Sequence, residues 1–240
     1  MSGDQGESQS GSNLSFVWFL LHGACYINGG LTFLIGSILY YPQFNPPLSR
    51  QDGAFEGSLL FTFGSLTFLI ADIQEWLLYA PPCLKRHKLA GAAPEHAPLM
   101  HAPDQEDSEA AYELGLNFFL SAIGSLLYLL GSIFIIPSLN TPNLGAWGFI
   151  IGSVFVWLAQ LWKVRRMRPL QRDHWTQDEW SAFQVDFMAS TGGFWFLVGT
   201  AASLSPHVTL VSVVNMWVIG SVAFTWSGGA LLYRHFVLRK

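Results

Sequence analysis

Six polar side chains lie inside or beside long apolar stretches, at related distances from paired glycine and serine or threonine residues. Asp72 and Gln160 each come eight residues after the glycine of such a pair, and Glu75 follows one helical turn after Asp72. The full set is His22, Asp72, Glu75, Asn117, Gln160 and Asp186. Carboxylate and imidazole side chains can take up and release protons or bind cations.

The spacing places all six groups toward one side of a membrane. Eight residues of helix correspond to roughly 12 Å, and the fourteen that separate His22 and Asn117 from their glycines to about 20 Å. One interpretation is a polar vestibule open to the cytoplasm, in which Asp72, Glu75 and His22 titrate. The other is solvation at the membrane interface, with hydrogen bonds to helix ends.

The composition predicts the helices that would position these groups. Of the 240 residues, 51% are hydrophobic and 12% are charged, whereas soluble domains have about 25% charged residues. Six apolar runs have the length of about 20 residues that a membrane-spanning helix needs. They cover residues 15–41, 56–79, 114–136, 145–163, 182–204 and 209–233. Because these runs are continuous and do not alternate, we expect an all-α, six-helix transmembrane bundle and not a barrel.

A glycine pattern occurs three times and pairs the runs into three two-helix repeats. In each repeat a glycine precedes a Gly-Ser or Gly-Thr pair by seven residues, a proline follows, and a second apolar run carries its own Gly-Ser pair. Small residues on one helix face allow close helix packing, although glycines could also line a pore. The predicted packing glycines are Gly29, Gly36, Gly57, Gly64, Gly124, Gly131, Gly145, Gly148, Gly152, Gly192, Gly199 and Gly220.

The repeats divide the chain into seven predicted segments. A disordered tail is expected at 1–12 and a flexible linker at 80–112, with a connector at 164–181 and a second tail at 235–240. The repeats occupy 15–79, 113–163 and 182–234. All three enter from the same side, which suggests a pseudo-threefold bundle, with a linear row of hairpins as the alternative.

The distribution of cations predicts the orientation. Eleven of the twelve Lys and Arg residues lie at one side of the expected spans, and only Arg50 lies at the other. The positive-inside rule therefore places both termini in the cytoplasm, although it does not identify the membrane. Arg165, Arg166 and Arg168 form the densest cluster, which we expect to face anionic lipids, a specific phosphoinositide or partner site being the alternative. A homo-oligomer or an unknown protein partner stays open, and nothing favours nucleic-acid binding.

Signatures of catalysis and cofactor binding are not found in the sequence. We see no G-x-S-x-G, H-E-x-x-H or phosphate-loop motif. The linker histidines have no rigid element to fix metal geometry, and haem would need paired intramembrane histidines. We therefore expect no enzyme activity, no cofactor and no metal.

The repeat resembles a known family of small membrane hairpins, the YrhK-like membrane domain. The segments "GGLTFLIGSILYYP" and "GSLLFTFGSLTFLIADIQEW" carry the resemblance, and "GSLLYLLGSIFIIP" with "GAWGFIIGSVFVWLAQLW" is similar again. The third copy diverges, with Thr200 for serine and Val213 for glycine. The resemblance covers residues 22–77, 117–163 and 185–234, and implies the hairpin fold but no activity or catalytic residue.

Two classes of function fit the sequence. The first, which the packed glycine faces and uncharged mid-membrane segments favour, is a structural or interaction protein that scaffolds partners or lipids. The alternative is a small-solute or ion transporter or channel that uses the polar vestibule.

Overall fold

The computed structural model is all-α, as the sequence predicts. It describes residues 6–45, 52–79, 105–167 and 174–238. The long helices are α1 (Gly6–Leu39), α2 (Asp52–Tyr79), α3 (Gln105–Phe134), α4 (Pro142–Arg166), α5 (Gln177–Ser203) and α6 (Leu210–Tyr233). One-turn 3₁₀ helices at Pro42–Phe44 and Pro137–Leu139 follow α1 and α3, and a π-helical turn at Arg234–Leu238 follows α6.

Five of the six long helices within the described residues are long and apolar enough to cross a membrane. The apolar segments are Phe16–Leu39, Gly53–Leu77, Tyr112–Phe134, Pro142–Arg166 and Leu210–Leu238. The 27 residues of α5 give it a length of about 40 Å, but its polar residues make it less apolar than the others. The expectation of six apolar spans is therefore confirmed for five helices, and α5 is held between two of them.

Local sequence explains where the helices begin and end. Pro42, Pro137 and Pro206 each lie three residues after the last residue of a helix, where proline cannot continue the hydrogen-bond ladder. At the other end of α5, the Thr176 side chain accepts a hydrogen bond from the backbone N–H of Glu179, whose carboxylate accepts one from the Thr176 N–H. This reciprocal capping box fixes the first turn of α5.

The helices form a closed ring. Each helix packs against its neighbours in sequence, and α6 packs against α1. At the closing contact, a Cβ on Gly30 would lie 2.6 Å from the backbone nitrogen of Thr225, so the two backbones meet directly. Contact between the first and last helices distinguishes the ring from the linear row of hairpins.

The ring is apolar outside and partly polar inside. Large apolar side chains such as Phe63, Leu77 and Trp147 are exposed on its outer surface, as expected for a surface in contact with lipid. The buried side chains include His22 and Asp72 together with many serines and aromatic residues. The ring interior is therefore where polar chemistry is possible.

Several helix boundaries differ from the predicted segments. Helix α1 begins at Gly6, inside the predicted tail 1–12, and α3 begins at Gln105, inside the predicted linker 80–112. The connector 164–181 is shortened by α4 and α5, and the tail 235–240 contains the end of the π-helical turn.

Candidate functional site

The six predicted polar residues lie near one end of the ring. We call this the polar end; there α1, α3 and α5 begin and α2, α4 and α6 end. The opposite end, formed by the short connections after α1, α3 and α5, is the turn end. His22 is 1% exposed and Asp72 is 2% exposed, so their side chains lie inside the ring and not at its solvated rim.

Asp72 is held by hydroxyl groups from two other helices. Tyr26 of α1 donates a hydrogen bond of 2.6 Å to Asp72 Oδ1. Ser121 of α3 donates to the same oxygen at 3.1 Å, and Ser125 donates to Oδ2. Both oxygens of this buried carboxyl group are therefore occupied, which offsets part of the cost of burying it.

Glu75 lies one turn along α2 and faces basic groups. Its Oε1 is 3.2 Å from His22 Nε2, and its Oε2 is 3.7 Å from Lys163 Nζ of α4. The Tyr26 hydroxyl is also 3.4 Å from Glu75 Oε2. Tyr26 therefore bridges the Glu75 and Asp72 side chains.

Lys163 connects the second and third predicted repeats. Its Nζ lies 3.9 Å from Asp186 Oδ1 of α5 and 4.2 Å from the centre of the Phe118 ring. The side chains of Glu75, Lys163 and Asp186 are only 16%, 12% and 13% exposed. One ammonium group thus lies between two nearly buried carboxylates from different helices.

Gln160 and Asn117 complete the cluster on α3 and α4. Gln160 Nε2 donates to Ser121 Oγ at 3.4 Å, and Asn117 Nδ2 donates to the backbone oxygen of Ala159 at 2.7 Å. Two buried atoms of the site, His22 Nδ1 and Asn117 Oδ1, have no hydrogen-bond partner among the described residues. Such atoms are usually satisfied by water or by a ligand.

The ring is closed between its two ends by an aromatic layer to which every helix contributes. Phe33 is fully buried at its centre, and its ring centroid lies within 6.4 Å of those of all the other members. The layer consists of Phe33, Phe61, Phe68, Tyr128, Phe149, Phe196 and Phe224. Tyr128 carries its one hydroxyl group, which lies 2.9 Å from Ser153 Oγ.

Cavities lie on both sides of the aromatic layer. Toward the polar end, a cavity of about 30 Å³ is lined by Tyr26, Asp72, Ser121, Ser125 and Gln160. Toward the turn end, one of about 180 Å³ is lined mainly by apolar and aromatic side chains, with Tyr40, Thr200, Ser203 and Trp217 as its polar groups. The ring axis thus passes from a polar site through an aromatic closure to a mostly apolar chamber.

Sequence reasoning missed several residues of the site. Lys163 is not among the predicted site residues, yet it follows Gly152 by eleven residues, as Glu75 follows Gly64. This shared spacing from the glycine of a Gly-Ser pair is a sequence signal that predicts Lys163 at the same depth as Glu75. Tyr26, Ser121 and Ser125 carried no comparable signal, because hydroxyl residues are common throughout the apolar runs.

The aromatic layer was also missed, although the sequence contains its signal. An aromatic residue stands three positions before the glycine of six Gly-Ser or Gly-Thr pairs, those at Gly36, Gly64, Gly131, Gly152, Gly199 and Gly220. These residues are Phe33, Phe61, Tyr128, Phe149, Phe196 and Trp217. The first five belong to the layer, and Trp217 lines the apolar chamber.

The predicted packing glycines all lie at close helix contacts. In the three hairpins a Cβ on Gly36, Gly131 or Gly220 would lie 3.0–3.1 Å from a backbone oxygen of the facing helix. The remaining ones would each place a Cβ within 3.0 Å of a neighbouring side chain or backbone; they are Gly29, Gly57, Gly64, Gly124, Gly145, Gly148, Gly152, Gly192 and Gly199.

Two of the three arginines of the predicted basic cluster lie within the described residues, and both are exposed. Arg165 and Arg166 are exposed at the end of α4, and Arg166 Nη1 lies 3.6 Å from Glu113 Oε2. Arg168 lies outside the described residues. Within the described ranges, no group of three or more His, Cys, Asp or Glu residues could hold a metal ion.

The chain was compared with known proteins. No protein-family model, curated protein or solved structure matches it.

Proposed function

We propose that this integral membrane protein moves an ion or a small solute through the interior of its ring, with both termini on the cytoplasmic side. The working site is the cluster of His22, Asp72, Glu75, Lys163 and Asp186. The observation that carries this proposal is the convergence of these five ionisable side chains, from four helices, on the interior of one helix ring.

The energetic cost of such a cluster favours a functional role. Ionisable groups in a membrane interior cost several kcal/mol, and they commonly mark ion or proton pathways. A ring held together only by packing would be cheaper with apolar residues at these positions, because buried ion pairs are weak sources of stability. The glycine contacts already join the helices without charged groups.

The arrangement corresponds to a closed conformation of such a pathway. The aromatic layer separates the polar cavity from the apolar chamber. Transport therefore requires movement of aromatic side chains or of whole hairpins. Parallel two-helix units around an axis along the membrane normal are a common basis for such movements.

We also propose that the ring is a tandem array of three YrhK-like hairpins. Corresponding positions in the second helices of the three copies support this proposal, since Glu75, Lys163 and Leu231 each lie eleven residues after the glycine of a Gly-Ser pair. At this position the first two copies carry opposite charges and the third carries leucine. Such differences between the copies would make the site asymmetric even if the three hairpins began as identical units.

A scaffold for lipids or protein partners is the second candidate. It is favoured by the filled aromatic layer and by Arg165, which is exposed at the polar end where it could contact anionic lipids. In that case the buried charges would serve only to specify which helices pair. A scaffold with an inert interior predicts no current through the ring.

The test is an electrical recording of the purified protein in planar bilayers. We expect a protein-dependent current that is abolished by combining Asp72→Asn with Glu75→Gln. Glu56→Gln is the matched control, because Glu56 is an exposed carboxylate at the turn end of the same helix.

Three outcomes are informative. Loss of current in the double variant alone supports the proposal. A current equal in all variants would remove the cluster from the pathway. The wild-type protein is tested at both signs of the voltage and with a pH gradient of either direction. If correctly folded protein carries no current under any of these conditions, the scaffold function is favoured.

A further inference from the structure

The size of the polar cavity limits what can occupy it. Its volume is about 30 Å³, whereas a single water molecule needs about 10–15 Å³ of such space. In this closed conformation the cavity therefore accommodates about two water molecules, but not a cation with its hydration shell. Building on the proposed function, we infer that the transported ion is a proton and that Asp72 and Glu75 pass it between them through the Tyr26 hydroxyl.

Asp72 has the surroundings of a proton-accepting group and not of a cation site. Its three donors are the hydroxyls of Tyr26, Ser121 and Ser125. Hydroxyl hydrogens stabilise a carboxylate and can rotate away when the carboxyl is protonated, because a hydroxyl both donates and accepts. A cation would instead need several free oxygen ligands.

The Tyr26 hydroxyl is placed to relay a proton. It donates to Asp72 Oδ1 at 2.6 Å and lies 3.4 Å from Glu75 Oε2. A protonated Asp72 gives its proton to the Tyr26 oxygen while Tyr26 gives its own proton to Glu75. One O–H bond breaks and one forms at the tyrosine, so the phenol is regenerated and no redox partner is needed.

The other charged groups around the relay disfavour a metal cation. Lys163 from α4 already occupies the space between Glu75 and Asp186 of α5, and its ammonium group would repel an entering cation. His22 from α1 lies against Glu75, and among the described residues its Nδ1 has no hydrogen-bond partner. Toward α6 the cavity is lined by Phe224 and Ser227, which carry no charge.

The inference is tested with full-length protein in liposomes that contain a pH-sensitive dye. Proton uptake is driven by a potassium diffusion potential, and the variants are Asp72→Asn and Tyr26→Phe. Tyr26→Phe keeps the shape of the ring and removes only the relaying hydroxyl, so it stays informative if Asp72→Asn fails to fold. Glu56→Gln is again the control. Parallel liposomes with sodium- or potassium-sensitive dyes measure cation uptake.

We expect proton uptake by wild type and Glu56→Gln, and uptake at the rate of protein-free liposomes for both site variants. Uptake must persist when sodium and external potassium are replaced by a large organic cation. Sodium or potassium uptake without proton uptake would overturn the inference and leave the proposed conduction intact. Wild-type proton uptake in folded Tyr26→Phe would overturn the relay, and no uptake of any ion by wild type would overturn both proposals.

Discussion

The two ends of the ring interior differ although the same six helices form both. At the polar end five ionisable side chains converge, and one of them, Asp72, lines a cavity of about 30 Å³. At the turn end a chamber of about 180 Å³ is lined mainly by apolar and aromatic groups. Between them lies the aromatic layer centred on Phe33.

The difference shows how one packing scheme can support two environments. Close glycine contacts run along the helices at both ends, from Gly36 against Gly57 near the turn end to Gly228 against Ile27 toward the polar end. Packing therefore does not require the charges, and the charges do not disturb the packing. The polar end is the part of the interior that the packing scheme leaves unexplained, which is why we assign function there.

The largest effect is expected from opening the barrier between the two ends. Phe33→Ala removes a fully buried ring from the centre of the layer, and should lower the free energy of unfolding by about 4 kcal/mol. It should also raise ion leakage through folded protein, because the two cavities would become connected. Titration with a denaturing detergent and liposome leakage assays measure the two effects.

The control for Phe33→Ala is Phe63→Ala, since Phe63 is 52% exposed on the outer surface. Phe63→Ala should change neither the free energy of unfolding nor the ion leakage appreciably. Equal leakage in both variants would show that the aromatic layer is not the barrier.

The second-largest effect is a loss of stability expected when the positive charge between the buried carboxylates of the polar end is removed. Lys163→Met leaves Glu75 and Asp186 without their shared ammonium group, which should reduce the free energy of unfolding by about 3 kcal/mol. The exposed Arg165 provides the comparison, because Arg165→Met should shift it by less than about 0.5 kcal/mol. Similar values for the two variants would mean that Lys163 does not balance buried carboxylates.

The next effect concerns the contact between α1 and α6 that closes the ring. Two glycines test this contact. A Cβ on Gly30 would meet the backbone of α6, whereas one on Gly229 would meet nothing within 4 Å. Gly30→Ala should therefore destabilise the protein by about 2 kcal/mol through overpacking. Gly229→Ala should stabilise it by up to about 1 kcal/mol through helix propensity. Thermal unfolding in detergent measures both, and the same sign for both variants would argue against closure between α1 and α6.

The smallest effect is expected from single hydroxyl and indole groups. Tyr128→Phe removes the hydroxyl that contacts Ser153 and should reduce stability by about 1 kcal/mol. Trp217→Phe removes the indole donor to Thr200 at the turn end, with a similar cost. Only Tyr128→Phe should also slow proton uptake, because Tyr128 lines the polar cavity. Slower uptake in Trp217→Phe as well would remove the distinction between the ends.

Much of the fold could be predicted because its causes are local. Apolar runs give the helices, and a proline three residues beyond α1, α3 and α5 marks their ends. The contact of α6 with α1 is expected of the pseudo-threefold bundle, but the sequence did not exclude the alternative, since a row of hairpins has the same sequence pattern as a ring.

The candidate site was predictable in part for a similar reason. Depth along a helix follows from counting residues, so Asp72, Gln160 and Asn117 could be placed toward one side of the membrane. Which way each side chain points across the ring depends on helix rotation and tertiary packing. For that reason the sequence did not place Lys163 in the site, and it did not predict the convergence of Tyr26 on Asp72.

The buried charges of the polar end are proposed to serve a function and not merely to hold the helices together. One triple variant tests this most directly. Combining Glu75→Gln, Lys163→Met and Asp186→Asn removes the three charges together, so no buried charge of this group is left unpaired. Proton uptake and unfolding would be measured on the same preparation. We predict loss of uptake with stability equal to or above wild type, because replacing a whole buried ion network is often neutral or stabilising. Wild-type uptake together with a large loss of stability would contradict the account.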